Sequence, residues 1–332
     1  MKAVICRAFG PPETLALEDW PEPVPEPGEI AIAVRAAGVN FADLLVVSGG
    51  YQRLPALPFI PGKEVAGIVT AVGPGVTAVA PGDRVLAEIE NGAFAELAVA
   101  KAAHCHKLPH AVPFVTAAAM GIVYQTAHFA LVERGQYRAG ETVLVTGAGG
   151  GVGMACMQLA KAMGARVIAC VSRPERAALA RESGADHVIA LDRPDLRDAL
   201  RDEVRKATDG HMADVVLDPA GGDVFDAAIR ALAWCGRLVV IGFAAGRIPS
   251  VKANYLLVKN IAVLGLQWSD YRDRMPERVS EVQAALFDLY AAGRLKPHVM
   301  ATMPMARFRA ALSAVAQGTI LGKIVLTLES NV

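Results

Sequence analysis

A glycine-rich segment in the middle of the chain has the residue types and the spacing that bind a dinucleotide. The pattern is Ala148-x-Gly150-x-x-Gly153, with alanine at the first of the three usual glycine positions. A glycine at the middle position lets the backbone approach a pyrophosphate, and one at the last position lets a helix pack closely on a strand. The residues predicted to contact the dinucleotide here are Ala148, Gly150, Gly151, Val152 and Gly153.

The sequence on either side of this segment predicts the strand and the helix that the motif requires. The apolar run Val143–Thr146 indicates a buried strand, and Val152–Met163 has the pattern of a helix. The free N–H groups and the positive dipole end at the start of that helix would face the phosphates. In this context the motif predicts dinucleotide binding, and a tight strand-to-helix turn without a ligand is the alternative.

The residues after the next strand predict which dinucleotide binds. NAD enzymes usually place an acid at this point to hold both ribose hydroxyls. Here the strand Arg166–Val171 runs into Ser172-Arg173-Pro174-Glu175-Arg176, and no acid stands at its tip. Ser172, Arg173 and Arg176 are therefore predicted to contact the cofactor, with the two arginines clamping a 2′-phosphate. This favours NADPH, and the alternative is that the arginines are surface residues at a helix start.

An alternation of strands and helices is predicted to position these residues in an α/β domain. From Thr142 onward, strands that are apolar throughout alternate with amphipathic helices, which predicts a doubly wound parallel sheet covered on both faces. One helix is predicted over Pro174–Ser183, stopped by Gly184. The other predicted strands are Arg166–Val171, His187–Ala190, Val215–Leu217, Arg237–Ile241 and Asn260–Leu266.

The first third of the chain has a different pattern, in which short strands are separated by turns rich in Gly and Pro. Such repeated short strands predict a compact, barrel-like β domain. The tail from about Ser269 predicts helices and a closing strand, Lys323–Leu328, which returns to complete that domain. The strands predicted in the first third are Ile30–Ala36, Ala66–Val72, Arg84–Ile89 and Phe94–Val99.

Composition and charge exclude several classes of function. The 332 residues suffice for two domains, and 33 Lys and Arg balance 33 Asp and Glu, so the net charge is zero. That balance lacks the basic field that binding to nucleic acid or an anionic membrane would need. The apolar stretch Val112–Val132 contains Pro113, Gln125 and His128, and we interpret it as a buried helix bridging two domains rather than a membrane span.

The cysteines and the N-terminal segment predict a cytoplasmic protein. The five cysteines are widely separated, odd in number and without CxxC spacing, which indicates reduced thiols rather than a disulfide frame. The segment Met1–Cys6 enters a strand-like run at once and lacks the apolar core of a signal peptide.

Several segments besides the glycine-rich one carry the pattern of a known family. They are Ala37–Asp43, Pro61–Gly67, Pro81–Val85, Gly92–Glu96, Gly184–Asp186 and Gly322–Val325. Together they resemble the zinc-independent medium-chain dehydrogenase/reductases of the quinone oxidoreductase (zeta-crystallin-like) type, over nearly the whole chain. The resemblance implies a GroES-like β-barrel-type catalytic domain in two pieces, 1–122 and 267–332. A Rossmann NADPH-binding domain, 123–266, would lie between them in the sequence.

The same resemblance predicts that no metal is bound. Zinc-dependent relatives need a cysteine and a histidine at two of these segments, where this chain has Asn40 and Lys63. The structural zinc lobe of those relatives, a cluster of four cysteines, is missing too, since Ala87–Gly92 contains no cysteine. The neighbouring residues of His104-Cys105-His106 are typical of a soft metal site, but an isolated cluster of this kind is more often incidental.

Without a Lewis acid, the substrate is expected to be electrophilic already, and Tyr51, Asn40 and Lys63 are the candidate catalytic residues. Tyr51 lies eleven residues after Asn40, a spacing that resembles that of the tyrosine in enoyl-thioester reductases and of a pocket tyrosine in quinone reductases. Its neutral phenol can donate to a developing enolate, and packing at a loop end is the alternative.

Asn40 is predicted to bind the nicotinamide ribose or the substrate oxygen, or else to cap a turn. Lys63 is predicted either to stabilise an enolate or to project into solvent. Asp43 is expected to brace the following helix.

The resemblance implies further contacts with cofactor and substrate. Thr126 would lie beside the nicotinamide ribose, Gly242 and Phe243 would pass under the cofactor, and Lys323 would reach it from the last segment. Tyr51, Gln267 and Trp268 are expected to line the substrate site, although a tryptophan is as often a core residue.

These predictions combine into an NADPH-dependent, zinc-independent oxidoreductase that transfers hydride to quinones or α,β-unsaturated carbonyls. An enoyl-thioester reductase is the close alternative, and an NADPH-binding structural or sensor protein with little turnover is the alternative from another class. The expected partner is a small-molecule substrate, with no nucleic acid and no membrane. By resemblance, an edge strand over Val258–Leu266 would pair with its copy in a homodimer.

Overall fold

The computed structural model describes Met1–Leu328 and divides the chain into two compact units. Of the described residues, the first unit contains Met1–Ile122, Arg272–Ala291 and Pro297–Leu328. The second contains Val123–Tyr271 and Ala292–Lys296. The first unit is therefore built from separate stretches of the chain.

The strands and helices of the described residues are numbered in chain order. The strands are β1 (Lys2–Ile5), β2 (Ala16–Asp19), β3 (Glu29–Val39), β4 (Glu64–Val72), β5 (Arg84–Glu88), β6 (Leu97–Lys101), β7 (Cys105–Lys107), β8 (Thr142–Val145), β9 (Arg166–Val171), β10 (His187–Ala190), β11 (Ala213–Asp218), β12 (Leu232–Val240), β13 (Ala262–Gly265), β14 (Val299–Pro304) and β15 (Lys323–Thr327). The helices are α1 (Phe41–Val47), α2 (Phe114–Ala117), α3 (Gly121–His128), α4 (Gly151–Ala162), α5 (Ala177–Glu182), α6 (Leu196–Ala207), α7 (Gly222–Ala228), α8 (Ala253–Lys259), α9 (Trp268–Arg274), α10 (Pro276–Ala291) and α11 (Phe308–Ala316).

The second unit is organised around a six-stranded sheet in the order β10-β9-β8-β11-β12-β13. Every pair of neighbouring strands in it is parallel. The order reverses between β8 and β11, which creates the crevice at the carboxyl ends of the strands where such folds bind ligands. Strand β8 is buried along its whole length, as a central strand covered on both faces must be. The predicted doubly wound parallel sheet is confirmed.

Three predicted boundaries in the second unit are wrong. The helix predicted over Pro174–Ser183 is a 3-10 turn, Pro174–Arg176, followed by α5. The strand predicted over Arg237–Ile241 begins earlier, at Leu232, because a register shift against β11 carries it through an irregular stretch. The edge strand predicted over Val258–Leu266 is shorter, because Val258 belongs to α8, which ends at the left-handed residue Asn260.

The first unit contains a mixed seven-stranded sheet in the order β14-β15-β3-β4-β5-β7, with β6 also paired to β3. Its pairs are antiparallel except that of β14 with β15. The closing strand β15 pairs with β3, so the tail completes the first domain as predicted. Its core includes Val4, Ile32, Phe94 and Ile324, all buried.

Two predictions on this side of the chain need correction. The strand predicted over Phe94–Val99 begins at Leu97, because the N–H of Phe94 donates to Pro61 O across a loop instead of joining the sheet. The single buried helix predicted over Val112–Val132 is interrupted: α2 and α3 are separate, and a π-helix, Phe129–Arg134, follows α3. Within Met1–Leu328, no helix combines the length and the apolar character needed to cross a membrane.

Candidate active site

The glycine-rich segment forms a tight turn between β8 and α4. Gly147 has a φ of +59°, and the N–H of Ala148 donates to Cys170 O of the neighbouring strand at 3.0 Å. Gly150 directly precedes α4 and has an extended backbone. The free N–H groups of the first turn of α4 therefore follow it immediately in the chain. A Cβ on Gly153 would lie 2.2 Å from Gly147 O, which excludes any larger residue there. The third glycine therefore sets how closely helix and strand approach.

Arg176 lies against this turn from the end of the neighbouring strand. A Cβ on Gly149 would be 2.9 Å from Arg176 Cδ and 3.1 Å from its Nη1. Burial and the charge of Arg173 both lower the pKa of Arg176. Ser172 and Arg173 are exposed, and Arg176 is half-buried. The Arg176 guanidinium thus stands beside the N-terminal end of α4, where an anion is favoured, and Arg173 is close enough for its charge to act on Arg176.

A buried carboxylate that the sequence interpretation did not single out organises the next loop of this edge. Asp218 ends β11, accepts a hydrogen bond from Thr146 Oγ1, and accepts N–H groups from Ala220 at 3.2 Å and Gly221 at 3.1 Å. Burial raises the pKa of Asp218 although these hydrogen bonds act to lower it. The sequence signal that could have identified Asp218 is its position as an acidic residue directly after the apolar run Val215–Leu217.

Gly242 and Phe243, both predicted to contact the cofactor, belong to the loop next to Asp218. The N–H of Gly242 donates to Asp218 O at 3.3 Å. Phe243 Cδ1 lies 3.0 Å from where a Cβ on Gly221 would be, and Gly221 has a φ of +68°. The loop following β12 is thereby held against the loop following β11, on the same edge of the sheet as the glycine-rich turn.

In the first unit, Asn40, Glu64 and Lys323 form a buried polar cluster. Lys323 Nζ donates to Glu64 Oε1 and to Asn40 Oδ1, both at 2.7 Å, and to Val39 O at 3.2 Å. Asn40 Nδ2 donates to Glu64 Oε1 at 2.9 Å, and Glu64 Oε2 accepts the N–H of Ile122 at 2.9 Å. All three side chains are almost fully buried. Glu64 was a missed residue, although it stands inside the segment Pro61–Gly67.

This cluster gives Asn40 and Lys323 partners within the protein. The three N–H donors of the Lys323 ammonium match three protein acceptors, so its direct contact to a cofactor stays a prediction. Thr126 is buried in α3 of the second unit. Gln267 is exposed and donates to Ser269 Oγ at 3.1 Å, whereas Trp268 is buried. The contacts predicted for Thr126, Gln267 and Trp268 likewise stay predictions.

Lys63 and Tyr51 are neighbours in the first unit. Lys63 Nζ lies 4.7 Å from the centre of the Tyr51 ring, within the range of a cation–π contact. The same ammonium donates to Glu90 Oε1 at 2.8 Å and to Glu90 O at 3.0 Å. The alternative that Lys63 projects into solvent is wrong, since its side chain is 8% exposed. Two of the three candidate catalytic residues are therefore in contact.

Asp43 braces the helix that follows Asn40, as expected. Its Oδ2 accepts the N–H of Asn40 at 2.7 Å, at the start of α1. Its Oδ1 is buried with no hydrogen-bond partner among the described residues. Burial raises the pKa of Asp43 to about 7, against the lowering effects of the Asn40 N–H, Lys63 and Lys323.

The segment His104-Cys105-His106 does not converge on one point. His106 Nε2 lies 2.9 Å from Glu88 Oε2, while His104 Nε2 lies 4.0 Å from Asp273 Oδ1. The thiol of Cys105 donates to Lys101 O at 3.3 Å, and burial raises its pKa. Among Met1–Leu328, no group of three or more His, Cys, Asp and Glu side chains is arranged to hold a metal ion.

Family models match the two kinds of domain. Residues 26–110 match the alcohol dehydrogenase GroES-like domain, and residues 151–284 match the family described as zinc-binding dehydrogenase. A quinone oxidoreductase-like protein 2 from Bos taurus is 37% identical over 99% of this chain and 93% of its own length. The chain belongs to the medium-chain dehydrogenase/reductase family. The predicted family and the GroES-like and Rossmann folds are thereby confirmed.

Solved structures of family members agree over the whole chain. A mycobacterial protein in complex with NADPH is 35% identical, with a TM-score of 0.93 over 99% of this chain and 100% of that one. The quinone oxidoreductase of Escherichia coli, also in complex with NADPH, is 29% identical, with a TM-score of 0.91 over the same shares. With quinone oxidoreductases and quinone oxidoreductase-like proteins among its relatives, this member of the family is an oxidoreductase.

Replacing Asp43 by Asn tests how its burial affects stability. The folded protein keeps the Asp43 proton between pH 3.8 and about 7, where the unfolded chain has lost it. The stabilising contribution of the protonated group is therefore complete below this window and is lost as the pH rises through it. Relative to the unaltered protein, we expect the free energy of unfolding of Asp43→Asn to rise across the window by up to about 1.4 kcal/mol per pH unit.

Urea unfolding at several pH values measures this trend. Asp83→Asn is the control, because the N–H of Ala80 and the side chain of Lys107 lower the pKa of Asp83. Relative to the unaltered protein, the free energy of unfolding of Asp83→Asn should therefore fall, not rise, as the pH increases. A pH-independent difference between Asp43→Asn and the unaltered protein would contradict the assignment.

Proposed function

We propose that this protein is an NADPH-dependent reductase that transfers hydride to quinones or α,β-unsaturated carbonyls. The observation that carries the cofactor half of the proposal is the glycine-rich turn with Arg176 against it and the charge of Arg173 acting on Arg176. The support from relatives is that two solved family members were obtained in complex with NADPH. Bound NADPH supplies the hydride, and the protein must orient the acceptor and handle the charge that develops on it.

The residues around the turn fit a phosphorylated dinucleotide. A Cβ on Gly150 would have only Gly147 O within 4 Å, at 3.6 Å, so the surface there is open to a ligand. The first N–H groups of α4 can bind the pyrophosphate, and Arg173 with Arg176 can bind a 2′-phosphate in the planar geometry that guanidinium groups favour. The proposed cofactor contacts are Asn40, Thr126, Ala148, Gly150, Gly151, Val152, Gly153, Ser172, Arg173, Arg176, Gly242, Phe243 and Lys323.

The donor set does not fit a catalytic zinc ion, and we propose that the reaction proceeds without one. Lys63 stands where the zinc-dependent relatives have a histidine, and an ammonium has no lone pair to offer a metal. It is paired with Glu90. Asn40 stands at the cysteine position, and its amide is bonded to Glu64 and Lys323. Neither residue supplies the thiolate or imidazole that zinc binds.

Tyr51 and Lys63 provide the chemistry that an activated C=C or a quinone requires. Hydride addition at one carbon leaves the electron pair of the reduced π system on oxygen, as an enolate or phenolate. The Tyr51 phenol can donate a hydrogen bond or its proton to that oxygen, and the nearby Lys63 ammonium stabilises the negative charge. Gln267 and Trp268 are proposed to line the substrate site with Tyr51.

Steady-state oxidation of NADPH with a panel of quinones, enones and enoyl thioesters tests the proposed function. Turnover with quinones or enones supports it, and turnover confined to enoyl thioesters would make the protein an enoyl-thioester reductase. Binding of NADPH without consumption on any acceptor would make it a structural or sensor protein. With an enone, Tyr51→Phe should lower kcat by about a hundredfold, within the usual contribution of a general acid.

Tyr290→Phe is the matched control for that substitution, because Tyr290 is a partly buried tyrosine of the same unit in α10. An unchanged rate in Tyr51→Phe would remove the donor role of Tyr51 while leaving the cofactor assignment intact.

The combined variant Arg173→Ala plus Arg176→Ala tests the choice of cofactor. Removing both guanidinium groups should weaken NADPH binding more than NADH binding, since only NADPH carries the 2′-phosphate. Each charge-assisted hydrogen bond contributes about 1.5–3 kcal/mol, so we expect a loss of NADPH affinity of at least about tenfold. Dissociation constants from cofactor fluorescence measure it. If the ratio of the two constants is unaltered, the phosphate clamp is wrong.

We also propose that the protein is a homodimer that pairs through β13. This strand ends the six-stranded sheet, and its side chains are only partly covered. Helix α8 has no buried residue, and its Leu257 and Val258 are 79% and 76% exposed. Trp234 of β12 is 74% exposed. An edge strand with exposed apolar side chains nearby is the kind of surface that a second copy covers.

Sedimentation velocity tests the dimer. The unaltered protein should sediment as a dimer, and Leu257→Glu with Val258→Glu should shift it to a monomer. Val24→Glu, which changes an 82% exposed valine of the other unit, serves as the control and should leave the dimer intact. A monomeric unaltered protein would contradict the proposal.

A further inference from the structure

The loop that carries Tyr51 is held on one side by a cation–π contact and on the other by an ion pair. Residues 50–54 lie between α1 and β4 without forming a helix or a strand. Tyr51 contacts Lys63 on one side, and Arg53, two residues further along the loop, pairs with Asp273 on the other. A loop without its own regular hydrogen bonds needs such contacts to hold one conformation.

On the Lys63 side, the contact depends on Glu90. Lys63 Nζ has two hydrogen bonds to this one residue, to its carboxylate at 2.8 Å and to its carbonyl at 3.0 Å. The Lys63 side chain has four rotatable bonds, and the two bonds to Glu90 select the rotamer that lies beside the Tyr51 ring. Glu90 follows β5, so the position of Lys63 is fixed to the sheet.

Arg272 connects Glu90, on the Lys63 side of the loop, with Asp273, on the Arg53 side. Its Nη2 donates to Glu90 Oε2 at 3.0 Å, and its Nε donates to Asp273 Oδ1 at 2.9 Å. The second oxygen of Asp273 accepts from Arg53 Nη1 at 3.1 Å. Each carboxylate therefore uses both oxygens, one for each cation. Contacts run from Tyr51 through Lys63, Glu90, Arg272, Asp273 and Arg53, and return along the backbone to Tyr51.

Burial strengthens the pairs of the two central cations relative to pairs on the surface, whereas Arg53, at the end of the chain of ion pairs, is 50% exposed. The Lys63 and Arg272 side chains are 8% and 6% exposed. Burial acts to raise the pKa of Glu90, but Lys63 and then Arg272 outweigh it and hold that pKa below its usual value. The pKa of Asp273 is likewise lowered, because Arg272 and Arg53 outweigh the effect of burial. Both carboxylates are thus held in the charged form that the pairs require.

We propose that Arg53, Lys63, Glu90, Arg272 and Asp273 form a clamp that positions the Tyr51 phenol for reaction. In this Tyr51 clamp, Glu90 and Asp273 are positioning residues that act through Lys63 and Arg53. The inference rests on the proposed function of Tyr51 as a donor, and it adds residues to which no role in the reaction had been assigned. A displacement of a catalytic group by about 1 Å can lower a rate about a hundredfold, so holding this loop matters for turnover.

Neutral isosteres of the two carboxylates test the clamp. Glu90→Gln and Asp273→Asn each keep one acceptor but replace the other oxygen by an amide donor, so one cation loses its partner. Each should lower kcat for the best acceptor by about tenfold or more, while the dissociation constant of NADPH changes less than about twofold. The loss in the double variant should be smaller than the product of the single losses, because both interrupt the same contacts.

The chain offers a closely matched control for Glu90→Gln. Glu18 is paired with Arg7 at 2.6 Å in the same unit, and its side chain is 34% exposed against 33% for Glu90. Glu18→Gln should leave kcat unchanged. If kcat is unchanged in both Glu90→Gln and Asp273→Asn, the proposal is overturned. It is also overturned if Glu18→Gln lowers kcat as much as those two variants do.

A second measurement needs no turnover. In protein labelled with 3-fluorotyrosine, the ¹⁹F signal of Tyr51 is identified by its absence in Tyr51→Phe. This signal should shift in Glu90→Gln and in Asp273→Asn and stay in place in Glu18→Gln. A Tyr51 signal that stays in place in both variants would overturn the clamp. If none of the acceptors supports oxidation of NADPH by the unaltered protein, the proposed function fails. The fluorine signal alone then decides whether the clamp holds Tyr51.

Discussion

The first unit depends on one buried ion pair between residues that are far apart in the sequence. Lys323 and Glu64 are 259 residues apart and meet at 2.7 Å with almost no exposure to water. Glu64 also accepts the N–H of Ile122, and Lys323 also holds Asn40. Removing one partner of such a pair leaves an unpaired charge in the interior, at a typical cost of about 3–5 kcal/mol. The pair therefore joins β15 to β4, and through its other hydrogen bonds it holds the end of β3 and the first turn of α3.

In the proposed function, the two units supply different groups. The second unit provides a rigid edge, where consecutive loops after β8, β9, β11 and β12 bring N–H groups and arginines together. The first unit provides the ionisable groups near Tyr51, and each of the charged side chains described there has a charged or polar partner. Polar groups can be buried at this density only because nearly every donor and acceptor is used.

Local features were predictable from sequence, and long-range pairs were not. The strands Arg166–Val171 and His187–Ala190 and the glycine-rich turn follow from short-range patterns of apolar residues and glycines, and the structure has both strands at the predicted residues. Glu90 and Arg272 are 182 residues apart, so nothing in the sequence near either residue indicates the other. The same limit explains Lys63, whose exposure could not be predicted without knowing that Glu90 faces it. Strand β14 was missed because its half-exposed residues lack a continuous apolar run.

The discontinuous order of the first unit has a consequence for synthesis on the ribosome. Glu64 emerges 259 residues before Lys323, and at about 5–20 residues per second the wait is some tens of seconds. During that time β3 lacks its partner β15, and the Glu64 carboxylate must remain hydrated instead of being buried with its counter-ion. The second unit, whose last residue is Lys296, is already complete in the nascent chain by then. The amino-terminal unit, although it is made first, is the last to close.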